Sequence, residues 1–141
     1  MIVLDTNVIF ELLTPRPNHA VESWVADQPP ASLFTTSVTE AEILSGVRLL
    51  PDGKRRRNLL AAIEPIFFED FAGRVLLFDR DAADAYATIA VERRHSGRPI
   101  SQFDAQIAGI ALSRGAAIAT RNIADFSGIG LSIVDPWSYE G

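Results

Sequence analysis

The sequence predicts an α/β fold: a central parallel sheet of four to five short strands flanked by helices. Two observations carry this. Short apolar runs alternate along the chain with segments of helical periodicity, the signature of βαβ units. The first run, Ile2-Val3-Leu4, is apolar throughout, as a strand covered on both faces requires, and the polar Asp5-Thr6-Asn7 turns it into a helix.

The elements follow in order. After the strand Ile2–Leu4, a helix carrying Val8, Ile9, Phe10, Leu12 and Leu13 is stopped by Pro15 and Pro17. Asn18 is the N-cap of a second helix, His19 to Asp27, with Val21 and Trp24 inward. Pro29-Pro30 separates it from the second strand, 32–36. Ser37-Val38-Thr39-Glu40 has the capping-box pattern and opens a helix to about Leu50. Pro51-Asp52-Gly53 is a turn, and Lys54 to about Phe68 is helical. The third strand is 75–78. Asp79 or Asp81 caps a long helix that ends near Gly97. Ser101 opens another, and Gly115 stops it. The fourth strand is 116–119, with Thr120-Arg121-Asn122 as its polar exit, and 132–134 is a short last strand.

At 141 residues and 48% hydrophobic content the chain is expected to form one domain, 1–141, with a real core. No run approaches the about 18 apolar residues of a membrane helix, so no membrane partner is expected. A basic segment leading into a long apolar stretch is absent, so no secretory signal is expected either. Without cysteine there is no disulfide, no thiolate chemistry and no thiolate zinc site, which fits a cytoplasmic protein. A net charge of −5 argues against binding nucleic acid with the whole surface. It leaves room for local basic patches, or for metal ions held on a carboxylate cluster.

In a parallel sheet ligands sit beyond the carboxyl ends of the strands, where the crossover helices begin. Asp5, Glu40, Glu42, Asp104, Asn122 and Asp125 fall there, as do Asp79, Asp81 and Asp84. Glu40 and Glu42 are about 200° apart around a helix and cannot both face one site. Glu40 shares a side with Ile43, Leu44 and Val47, whereas Glu42 is followed one turn on by Ser45 and Gly46, which leave space beside it. Asp104 also completes a capping arrangement with Ser101, and Asn122 with Asp125 three residues on repeats that pattern. Asp5, Glu42 and Asp104 would together form a three-carboxylate cluster at one sheet edge. Like charges so placed call for a cation between them, and oxygen donors without cysteine or clustered histidine select Mg²⁺ or Mn²⁺. Such ions most often serve phosphoryl chemistry.

Five stretches, Leu4-Asp5-Thr6-Asn7, Ser37-Val38-Thr39-Glu40-Ala41-Glu42-Ile43, Phe103-Asp104-Ala105, Ala119-Thr120-Arg121-Asn122-Ile123-Ala124-Asp125-Phe126 and Asp135-Pro136-Trp137, resemble a PIN-domain ribonuclease of the VapC type, in its FitB-like branch. The resemblance covers essentially the whole chain in register. It implies a PIN-like fold and the toxin half of a toxin–antitoxin pair. It also implies Mg²⁺- or Mn²⁺-dependent endonucleolytic cleavage of RNA, commonly tRNA or ribosomal RNA, and a homodimer. The partner would be a cognate VapB-type antitoxin whose other end binds operator DNA. Asp5, Glu42 and Asp104 match the family's three regular acidic positions. Asn122 stands where many relatives place a fourth acid, and Asp125 either supplies that charge or is only a cap. Thr6 and Thr120 are candidates to orient phosphate or water, or local caps.

Lys54-Arg55-Arg56-Arg57 opens a helix whose dipole disfavours it, so it is either a phosphate contact or a solvated face. Arg93, Arg94 and Arg98 fit a helix C-terminus, and Arg121 is the better candidate for a phosphate contact. His19 and His95 stand alone, and Trp24 and Trp137 are read as packing residues. Two other functions compete with the toxin nuclease. One is a catalytically weak PIN subunit that regulates transcription with a DNA-binding partner, a reading kept open by Asn122. The other is a phosphatase with Asp5 as nucleophile, which lacks the second aspartate at Asn7.

Overall fold

A computed structural model describes residues 1–141. The five expected strands form one sheet: β1 (Ile2–Leu4), β2 (Leu33–Thr36), β3 (Val75–Leu76), β4 (Ala117–Ala119) and β5 (Ile133–Val134), in the order β3-β2-β1-β4-β5. Every pairing is parallel, with Ile2 opposite Leu33 on one side and Ala117 on the other. The chain therefore builds outward from β1 to β3, then returns to the far side of β1 to lay down β4 and β5. The reversal falls between β1 and β4, the place where an open α/β sheet leaves a crevice at its carboxyl edge.

Seven α-helices cover the sheet: α1 (Thr6–Leu13), α2 (His19–Asp27), α3 (Ser37–Arg48), α4 (Lys54–Pro65), α5 (Arg80–His95), α6 (Gln102–Ser113) and α7 (Ile123–Phe126). Alternation along the strands divides the core. Val3 and Ile118 point into one cluster with Ile107, Ile110 and Phe126, while Leu4 and Ala119 point into the other with Val8, Ile9 and Trp24. On the first side α5 and α6 pack so closely that a Cβ on Gly109 would lie 2.7 Å from the Ala82 carbonyl oxygen. No helix is long and apolar enough to cross a membrane.

The structure corrects several local expectations. The second strand starts at Leu33 rather than 32, because Pro30–Ser32 form a 3-10 turn. Thr36, not Ser37, caps α3: its side chain accepts from the Thr39 N–H at 3.0 Å. The helix from Lys54 does not run uniformly to Phe68; it is α-helical to Pro65, and Ile66–Asp70 form a π turn. The third strand stops at Leu76, leaving Leu77 exposed at the sheet edge. Asn122 precedes the short helix α7, but its side chain makes no cap.

Candidate active site

Asp5 ends the central strand. Its N–H donates to the Ala119 carbonyl at 2.9 Å, which extends the β1–β4 ladder by one residue and aims the side chain over the crevice. Both carboxylate oxygens are held. Oδ1 accepts from the Thr6 N–H at 2.8 Å, the N-cap of α1, and Oδ2 accepts from the Thr120 hydroxyl at 2.8 Å. The cap and the site are thus one side chain doing both jobs. Asp5 is 1% exposed, and burial pushes its carboxyl up from 3.8 to about 6; the bonds from Thr120 and Thr6 oppose that rise, and the charges of Asp104 and Glu42 add to it.

Glu42 and Asp104 come to the same place from the second turn of α3 and the first turn of α6. With Asp5 they line one cleft of about 490 Å³. Glu42 Oε1 accepts from the Thr6 hydroxyl at 2.6 Å, and that hydroxyl also lies 3.1 Å from Thr39 Oγ1. A Cβ on Gly46 would meet nothing within 4 Å, so the space beside Glu42 is open. The Asp104 N–H donates to Ser101 Oγ at 3.2 Å. Burial raises the Asp104 pKa; the Ser101 side chain, bonding to the carboxylate, opposes this, and the charges of Asp125 and Glu42 reinforce it.

The other candidates fall differently. Thr120 is fully buried, and its hydroxyl is consumed: besides holding Asp5 it accepts from the Asn122 N–H at 3.0 Å and from Asn7 Nδ2 at 3.3 Å. It positions Asp5 instead of facing a substrate. Thr6 lines the cleft, but its hydroxyl is committed to Glu42. Arg121 and Asn122 are exposed on the wall. Asp125 is exposed and does not line the cleft, although Asp104 feels its charge. Its helix is pinned by Arg93, which is 6% exposed and donates to the carbonyls of Asp125 at 2.7 Å and Ser127 at 2.8 Å. Arg93 therefore serves α7, and it also donates to the Arg98 carbonyl just past its own helix at 3.5 Å.

The cleft also contains residues that were not anticipated: Asn7, Phe10, Glu11, Thr14 and Trp137. The first four form a stripe along α1 at positions 7, 10, 11 and 14, a helical spacing visible in the sequence. Glu11 is partly committed, accepting from the Asn18 N–H at 3.2 Å. Beside the cleft, sharing Phe10 and Thr14 with it, runs a groove of about 550 Å³ walled by Leu13, Pro15 and Leu59 and edged by Lys54 and Arg55. Arg56 and Arg57 instead approach Asp52 at 3.9 and 4.0 Å.

The donor set suits a hard divalent cation. The carboxylates of Asp5, Glu42 and Asp104 offer oxygen only, and no cationic side chain forms an ion pair with any of them. They do not close into a three-carboxylate ligand group as they stand. Thr6 and Thr120 fix two of them, Glu42 and Asp5.

Comparison with known proteins shows the family. The PIN domain family matches residues 2–129. The chain is 40% identical over 137 residues to the VapC ribonuclease Y4jK of Sinorhizobium fredii, covering 97% of this chain and 98% of that protein. It is 33% identical over 140 residues to a tRNA(fMet)-specific endonuclease VapC of Shigella flexneri, covering 96% and 97%. Among solved structures it resembles FitAB bound to an IR36 DNA fragment, with TM-score 0.89, 35% identity, and 100% and 99% of the two chains covered.

Proposed function

This chain belongs to the PIN-domain family, and from that premise we propose that it is the toxin of a type II toxin–antitoxin pair, an Mg²⁺- or Mn²⁺-dependent endoribonuclease of the cytoplasm. The observation that carries this reading is the convergence of Asp5, Glu42 and Asp104 on one cleft at the sheet's reversal point. These three residues would hold the ion. When bound, it supplies charge neutralisation at the phosphate and activation of a water as nucleophile.

The chain's own groups do the rest. Thr120 and the Thr6 N–H hold Asp5 in one orientation, and the Thr6 hydroxyl does the same for Glu42. Such preset placement spares the reaction the entropy of assembling the site. Arg121, which lines the same cleft, meets the substrate's phosphate, and hydrolysis of the phosphodiester leaves two RNA fragments. The Shigella relative's name supports tRNA as the substrate class. The FitAB and DNA-bound VapBC complexes that the chain resembles support a VapB-type antitoxin as partner, with DNA met through that antitoxin; the toxin itself is read as a homodimer.

A second reading, a catalytically weak regulatory subunit, draws on the neutral Asn122 at the cleft and the open ligand group. One experiment separates the two. Antitoxin-free protein is incubated with tRNA and Mg²⁺ or Mn²⁺, beside Asp5→Asn and Asp104→Asn. Metal-dependent cleavage that both substitutions abolish is expected. Intact RNA with the wild-type protein in either ion would sink the nuclease reading.

A further inference from the structure

Four carboxylates line the cleft, those of Asp5, Glu11, Glu42 and Asp104, against a single cation, Arg121. An RNA strand that reaches Asp5 must bring its phosphates along a wall with one positive group. The Arg121 guanidinium forms no ion pair. It lies instead over the indole of Trp137, 5.2 Å from the ring centroid. Trp137 is itself fixed: its backbone N–H donates to Asp135 Oδ1 at 2.9 Å, and its side chain packs against the core. At its other end Arg121 is tied to the site, since its N–H donates to Asn7 Oδ1 at 3.4 Å and its neighbour Thr120 holds Asp5.

We propose that Trp137 is a positioning residue that poses Arg121 as the RNA-phosphate contact of this cleft, an inference that rests on the ribonuclease reading. A free arginine on a surface loses much rotamer freedom when it binds. One already stacked on a fixed ring has lost it beforehand, and it stays charged without a carboxylate to compete for it. RNA is favoured over an acidic peptide as the anion because Phe103 and Ile123, next in the chain to Asp104 and Asn122, are 43% and 44% exposed. Exposed apolar side chains that flank cleft residues in the chain suit unpaired nucleobases.

The test is binding of a short single-stranded oligoribonucleotide of mixed sequence to the whole protein in EDTA, over a range of salt, by fluorescence anisotropy. Arg121→Ala is expected to weaken binding about tenfold and to lower the salt slope by about 0.7, the value of one phosphate contact on a single strand. Trp137→Leu should reproduce most of both losses although the arginine is present, and Trp137→Phe should restore them. With Mg²⁺ and tRNA, Trp137→Leu should raise KM about tenfold and leave kcat within about twofold. A folded Trp137→Leu protein with the wild-type salt slope and KM would overturn the proposal. So would unchanged RNA binding with weakened antitoxin binding, which would assign Arg121 to an acidic peptide. Wild-type protein that neither binds nor cleaves RNA would remove the ribonuclease reading, and this inference with it.

Discussion

The Thr120 hydroxyl donates to Asp5 Oδ2 at 2.8 Å across 115 positions of sequence, and both residues are sealed from solvent. This bond favours the ionised carboxylate and so works against the burial that raises the Asp5 pKa. Thr120→Val keeps the shape and removes the donor. It is expected to cost about 1–3 kcal/mol at pH 7.5, where a buried charge loses its partner. The cost should shrink at pH 5, where Asp5 is protonated. Urea unfolding at the two pH values measures both.

Asp5 makes the metal-free protein less stable at neutral pH. Its folded pKa of about 6 lies above the unfolded 3.8, so the native state holds the proton more tightly. That contribution to stability is fully present below pH 3.8 and is lost as pH rises through about 6. At full value the difference is about 3 kcal/mol. In EDTA at pH 7.5, Asp5→Asn should therefore be more stable than wild type by up to about 3 kcal/mol while losing cleavage. The stability advantage should vanish near pH 4. An asparagine variant less stable at every pH would contradict this account of the site.

Two glutamates two residues apart make a direct comparison. Glu42 lines the cleft and takes the Thr6 hydroxyl; Glu40 makes no side-chain hydrogen bond and does not line it. Glu42→Gln should abolish cleavage, and Glu40→Gln should cleave at the wild-type rate. Mg²⁺ should raise the melting temperature of wild type and of Glu40→Gln, as any ligand of the native state does, and should leave Glu42→Gln unmoved.

Gly109 is where α6 meets the backbone of α5. An added methyl would press on Ala82 and Tyr86 main-chain atoms, which cannot swing aside. Gly109→Ala is expected to destabilise the fold by about 1–3 kcal/mol despite the better helix propensity of alanine. Thermal unfolding checks this, and an unchanged melting temperature would mean that the two helices separate at no cost.

Local chemistry made much of this protein legible in its sequence. Apolar runs placed the strands because a doubly covered strand must be apolar, and the half-turn between Glu40 and Glu42 chose the latter because helical rotation is fixed by residue spacing. Caps at Asn18, Asp79 and Ser101 lie where short polar side chains precede apolar helices. What the tertiary structure alone decided concerns partners far apart in the chain. Setting β4 beside β1 turned Thr120 from a candidate substrate contact into the anchor of Asp5. Packing of the last 3-10 turn carried Trp137 into the cleft beneath Arg121. Binding of the carbonyls of Asp125 and Ser127 by Arg93 fixed α7 with Asp125 outside the cleft wall. Periodicity and spacing record which face of an element a residue occupies; which element that face meets depends on the order of the strands, and no local pattern encodes it.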